Sequence, residues 1–187
     1  KVFFSTSTTF ADALGLALGA KWGSSKVVRL TVRSEFDNTQ ALIESFRSQP
    51  GNAFLVCDAT VEEGVNLQFS DLVILTDLPM HSGSLEQRIG RFDRFSLSNE
   101  PVVFTVVTSN DPFESLWFDY LMSTGIFSDS VANLQYALSD LDDDLVKNWL
   151  TLGSVAAHEI IAKAPELISN EKKELAKQDL LDSSEIS

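Results

Sequence analysis

The sequence predicts an α/β fold, a doubly wound and mainly parallel sheet followed by a helical extension. Three observations carry this. Five short apolar, β-branched runs recur along the first 110 residues. Segments of helical spacing separate the early ones. After Asn110 only the 3.6-residue period remains. Runs that are apolar on both faces suit parallel strands covered on both sides, and strand–helix alternation builds doubly wound lobes.

Taken in order, VFFST (2–6), VVRLTV (27–32), AFLVCD (53–58), LVILTD (72–77) and VVFTVV (102–107) are the predicted strands. TTFADALGLALGA and DNTQALIESFRSQ are predicted helices, with Leu42, Ile43 and Phe46 as an apolar stripe and Thr8, Thr9 or Asp37 available as N-caps. ESLWFDYLMSTGIF, SVANLQYALSDLDDDLVKNWL, SVAAHEIIAKAPELI and NEKKELAKQDLL carry helical periodicity. The expected domains are therefore an α/β lobe over 1–110 and a helical, acidic extension over 111–187.

Composition narrows the class. The chain has 187 residues, 44% of them hydrophobic and 22% charged, enough for one sizeable core. Its formal net charge is −13 and its pI about 4.4. Residues 1–95 hold 9 Lys/Arg against 11 Asp/Glu, and residues 96–187 hold 5 against 16, so the acidity belongs to the second half. That balance argues against a generic polyanion-binding surface but leaves room for a local phosphate site in the first half. A single cysteine, Cys57, excludes an internal disulfide, and with only His81 and His158 beside it no zinc-ligand spacing occurs. The weakly polar stretch Ala11 to Ala20 is too short to span a bilayer. A cytoplasmic protein without membrane contact is expected, and the start at Lys1 on a buried-looking strand suggests a fragment of something longer.

The chemistry concentrates in EQRIGRFDR, Glu86 to Arg94. On a helix from Ser84 to Phe95, Leu85, Ile89 and Phe92 fall on one side and Glu86 and Asp93 on a second. Gln87, Arg91 and Arg94 share a third, with Arg88 at its margin. Like charges on one face repel unless something neutralises them, and no acid lies four residues away on that face. Residue arguments alone leave two readings open. One is a solvated basic face. The other is a stripe facing phosphate, for which arginine's planar fork is suited.

The span Phe54 to Arg94 resembles the second RecA-like lobe of superfamily 2 helicases and translocases of the Swi/Snf type. CDATVEEGVNLQ looks like that family's fifth motif, EQRIGRFDR its sixth in the QRxGRxxR form, and KVFFSTS its fourth. The EG-x-N-x-Q form followed by LEQRIGR is similar both to bacterial RNA-polymerase-recycling remodellers and to helicase-like proteins encoded with 7-deazapurine DNA modification systems. Both remain open.

The resemblance implies a site shared between two lobes. ATP with Mg²⁺ would be bound mainly by an N-terminal RecA-like lobe of the same protein, with Arg91 and Arg94 as catalytic arginines reaching its γ-phosphate. Glu63, Gly64, Gln87 and Arg88 would lie on the ATP side, although Arg88 is better suited to ordering the motif by pairing inside the lobe. Thr60 would lie near the nucleic-acid backbone, with double-stranded DNA as the expected partner. Ser5, Thr6 and Ser7 could grip a phosphate, and simple N-capping is equally compatible with them. RNA polymerase or another protein, bound through the acidic helices, is a further candidate partner.

The sequence has no GxxxxGK[ST] loop and no Asp-Glu box, so this chain alone is not expected to hydrolyse ATP. It also departs from relatives in carrying Thr39 near a common arginine position, and PMHSGS where a Trp-Asn-Pro-like turn is common. An RNA helicase lobe and a catalytically silent interaction scaffold are the rival functions. DLDDDL (Asp140 to Leu145) reads as the solvated first turn of a helix with Leu141, Leu145 and Trp149 inward, in preference to a metal site. Trp117, Phe118 and Tyr120, spaced helically, read as core in preference to a base-stacking platform.

Overall fold

The computed structural model describes residues 1–33, 39–49, 51–62, 65–67, 69–92, 102–128 and 131–185. The five apolar runs all form strands: β1 (Val2–Phe4), β2 (Val27–Leu30), β3 (Phe54–Cys57), β4 (Leu72–Leu75) and β5 (Val103–Val106). They make one parallel sheet in the order β2-β3-β1-β4-β5. Every residue of β3 is buried, as a strand lying inside a parallel sheet should be. The register aligns the carboxyl ends, with Phe4 opposite both Cys57 and Leu75.

Helices α1 (Thr8–Trp22), α2 (Thr39–Ser48) and α3 (Ser82–Phe92) alternate with the strands. Ser7, not Thr8 or Thr9, caps α1: its backbone is extended and its Oγ accepts from the Phe10 amide at 3.3 Å. Thr8 and Thr9 already lie inside the helix, and the Thr8 hydroxyl donates to Asp58 at 2.6 Å. Asp37, the cap expected for α2, lies outside the described residues. The buried face of α1 is small, Ala11, Gly15 and Gly19. A Cβ on Gly15 would come within 2.5 Å of Arg29 Cδ, so glycine there makes room for a side chain from β2.

The chain forms two compact units. One comprises Lys1–Pro79 with Gln87–Thr108; the other comprises Met80–Glu86 with Ser109–Ser187. Helix α3 therefore gives its first half to the second unit, which otherwise contains α4 (Pro112–Thr124), α5 (Gln135–Leu152) and α6 (Ser154–Glu185). Asp111 caps α4 through the amides of Phe113 and Glu114, and Gly125 closes it in a left-handed conformation (φ 76°). The last two expected segments are one helix, continuous through Pro165. Trp117 and Tyr120 are buried, so they pack the helical core.

One expectation is corrected here. The DLDDDL acids do not occupy a first turn, because α5 starts earlier, at Gln135. Asp142 falls in the helix interior and is buried together with Leu138 and Leu145. These three sit at i, i+4 and i+7, on one stripe of the helix.

Candidate functional site

In open α/β sheets ligands bind beyond the carboxyl ends of strands where the winding reverses. Here β1 leads through α1 to β2 on one side of the sheet, and β4 leads through α3 to β5 on the other. As β1 and β4 are neighbours, the reversal lies between Phe4 and Leu75. The residues following these two ends, Ser5 to Ser7 and Thr76 to Asp77, meet there. Thr76 donates both its amide and its hydroxyl to the Phe4 carbonyl, each at 2.9 Å.

Asp77 is the hub of this meeting point. It accepts the Ser5 hydroxyl at 2.5 Å and the Thr6 amide at 2.7 Å, and the Thr6 hydroxyl bonds the same carboxylate. Arg88 completes the cluster from α3. Its guanidinium donates to Thr6 Oγ1 at 3.2 Å and to the Asp77 carbonyl at 3.4 Å, and lies 3.7 Å from the Asp77 carboxylate. The same group stacks over the Phe4 ring at 4.1 Å from its centroid. Arg88 is wholly buried, although its partner Asp77 is one-third exposed. Instead of standing at the margin of the arginine face, it occupies the buried stripe with Leu85 and Phe92, at i+3 and i−4 from them.

The remaining candidates are placed as follows. Gln87 is exposed and Arg91 half-buried, one turn apart on the same face of α3. The Arg91 carbonyl accepts from the Leu67 amide at 3.1 Å, which fixes the end of this helix to the chain leaving the fifth motif. Thr60 lies in a short 3₁₀ turn, Ala59–Glu62, after β3. Ser7 is the α1 cap, and its own amide donates to Ser5 Oγ at 3.1 Å. Arg94, Glu63 and Gly64 lie outside the described residues.

Sequence reasoning missed three residues. Asp77 was visible only as the acid closing LVILTD. Asp58, buried at the end of β3, accepts the Thr8 hydroxyl and the Val32 amide (3.0 Å) and so joins the ends of three elements. Arg47, from the last turn of α2, lies over the Phe69 ring at 5.2 Å. It lines an open groove of about 500 Å³ with Thr39, Gln40, Ile43, Val65, Asn66 and Phe69. Thr39 opens the helix that carries Arg47, and both line this groove. No group of three or more His, Cys, Asp or Glu residues that could hold a metal ion occurs among the described residues. No helix among them is long and apolar enough to cross a membrane.

Comparison with known proteins fits this geometry. Residues 2–96 match the family described as the helicase conserved C-terminal domain. The RNA polymerase-associated protein RapA of Vibrio vulnificus (strain YJ016) is 26% identical over 125 residues, covering 65% of this chain and 13% of the relative. RapA of Stutzerimonas stutzeri (strain A1501) is 33% identical over 105 residues, covering 50% and 11%. The chain thus spans about an eighth of the length of the curated relatives it matches. Among solved structures, the C-terminal part of the Fun30 ATPase domain superposes with a TM-score of 0.51 at 18% identity, covering 79% of this chain and 47% of that one. Domain 2 of the DEAD-box helicase Mss116p, solved bound to an RNA duplex, also gives 0.51, at 14% identity, covering 90% and 73%. At these identities the likeness is one of fold, and the fold is that of a RecA-like second lobe.

Proposed function

Since the chain belongs to the helicase conserved C-terminal domain family, we propose that it serves as the second lobe of an ATP-dependent translocase on double-stranded DNA, acting in the cytoplasm of a bacterium. The observation that carries this reading is the division of labour along α3. Arg88 is consumed inside the lobe by Asp77, Thr6 and Phe4, whereas Gln87 and Arg91 share the adjacent, more open face. An exposed amide and a guanidinium one turn apart form a donor set matched to phosphate oxygens. ATP with Mg²⁺, held mainly by the partner lobe of the complete protein, would supply the phosphoryl group to be transferred. Arg91 neutralises charge as it builds on that group, Gln87 supplies a hydrogen bond, and Arg94, Glu63 and Gly64 are assigned to ATP by the motifs alone.

On the nucleic-acid side, Thr60 and the groove of Thr39, Asn66 and Arg47 hold the phosphate backbone. Such contacts position a duplex without reading its sequence. Ser5 and Thr6 hold Asp77 and Ser7 caps α1, so these three support the track from behind. The named relatives are RNA polymerase-associated, and the acidic helical unit is the surface we assign to a protein partner of that kind.

The test is turnover by the complete protein. Arg91→Ala and Arg94→Ala are each expected to lower kcat by about 10³-fold or more while duplex DNA binding persists, because a completing arginine is worth on the order of 10³ to 10⁵ in rate. Unchanged turnover in both variants refutes the arginine assignment. Stimulation of the parent enzyme by RNA and not by duplex DNA refutes the substrate.

A further inference from the structure

Helix α3 begins at Ser82, and the carbonyl of His81 accepts the first helical bonds, from the amides of Ser84 (3.1 Å) and Leu85 (3.3 Å). The opening amides of any helix lack partners within it and need an acceptor from outside. Here no carboxylate comes from the helix itself: its first turn contains no acidic residue, and the boundary residue, His81, carries no side-chain oxygen. The acceptor comes from α5. Asp142 Oδ2 accepts the Ser82 amide at 2.8 Å and the Ser82 hydroxyl at 2.9 Å, while Oδ1 accepts the Tyr120 hydroxyl at 2.7 Å.

This carboxylate is 2% exposed. It occupies a position on the apolar stripe of α5, between Leu138 and Leu145, that a leucine would fill at no electrostatic cost. Burying an acid there is tolerable only because both oxygens are engaged and one of them faces the positive end of a helix. The helix so capped, Ser82–Phe92, is the one that bears Gln87 and Arg91.

We propose that Asp142 is the N-terminal cap of α3, supplied from the helical unit, and that it is a positioning residue for Arg91. This rests on the reading of Arg91 given above. In the absence of the cap the first turn of α3 unwinds, the helix loses its fixed start, and Arg91 is held less tightly in its working place.

Two measurements test this. In the 187-residue chain, hydrogen exchange of the Ser82 to Leu85 amides is expected to speed up about tenfold in Asp142→Ala, the usual scale of a lost cap, with β1 and β3 amides unchanged. Asp142→Asn, which keeps an acceptor oxygen, should stay close to the parent. If the alanine variant fails to fold, Asp142→Leu fills the stripe beside Leu138 and Leu145 without restoring the acceptor, and the same local rise is expected. In the complete protein, Asp142→Ala should lower kcat by on the order of 10- to 100-fold with KM for ATP within about twofold, and Asp142→Asn should recover most of it. Exchange that rises uniformly across the chain, or not at all at Ser82 to Leu85, overturns the cap. A local rise in exchange with unchanged kcat overturns the link to Arg91, leaving the role of Arg91 to be judged by its own variant.

Discussion

Replacing Arg88 should damage the lobe's stability far more than replacing Arg91, although both belong to one motif. Arg88 is wholly buried, stacks 4.1 Å over Phe4, and donates to Thr6 and to the Asp77 carbonyl. Arg88→Ala removes a large packed side chain and strips the Asp77 carboxylate of its cation. Large-to-alanine core changes cost about 2–5 kcal/mol and breaking a buried pair about 3–5, and the two overlap because one side chain makes both interactions. Asp77 keeps its Ser5 and Thr6 donors and some solvent, which places the expected loss near 3 kcal/mol. For a chain of this size each kcal/mol moves the melting temperature by about 2–4 °C, so a drop of roughly 10 °C is expected. Arg88→Met retains most of the packing and should lose about half as much. Arg91→Ala should cost less than Arg88→Ala, because Arg91 is only half-buried and its bond to Leu67 uses the backbone carbonyl, which alanine keeps. Urea and thermal unfolding of the isolated chain by circular dichroism gives these differences directly. A stability loss for Arg88→Ala no larger than that for Arg91→Ala would refute the argument that Arg88 is structural.

Ser7→Ala should destabilise α1 by about 1 kcal/mol, read from the urea midpoint, because it removes the oxygen that accepts the Phe10 amide. The Cys57 thiol is pushed well above its ordinary range by burial and by the adjacent Asp58, so it should resist disulfide reagents in the native chain and react only once denaturant is added. Burial raises the Asp142 carboxyl above its ordinary value of 3.8, outweighing the donors from Ser82 and Tyr120 and the nearby His81. A group whose folded value is raised binds its proton more tightly in the folded state. Its contribution is full below the unfolded value and lost as pH rises through the folded one. Asp142→Asn escapes that loss, so its melting temperature should gain on the parent's as pH is raised from about 3 to 7; a constant difference across that range would contradict the shift.

The sheet was legible because parallel strands covered on both faces need unbroken apolar runs, and VFFST, AFLVCD and LVILTD have little choice of structure. The site was legible as a motif but less so as geometry, and the two failures share a cause. Charge set Arg88 at the margin of the arginine face, although it was expected to pair inside the lobe, and set Asp142 in a solvated first turn. Their spacing told otherwise: Arg88 follows Leu85 by three and precedes Phe92 by four, and Asp142 lies between Leu138 and Leu145 on the same kind of stripe. Helical position outranked chemistry, because each found enough partners to make burial tolerable. Those partners, Asp77 and Tyr120, come from other elements and carry no local signal. Nor could spacing reveal that Met80 to Glu86 would join the helices that follow.

The strand order also bears on how the chain is made. β1 is synthesised before both of its partner strands, yet it lies in the middle of the sheet, with Val2 paired to Leu55 on one side and to Val73 on the other. Until both partners have left the ribosome, the first strand has two open edges and an apolar surface on each face. Closing such distant pairings is slow, and unpaired edges invite association with other chains. Pairing of Val2 to Phe4 therefore waits on Leu72 to Leu75, the later of its two partner strands.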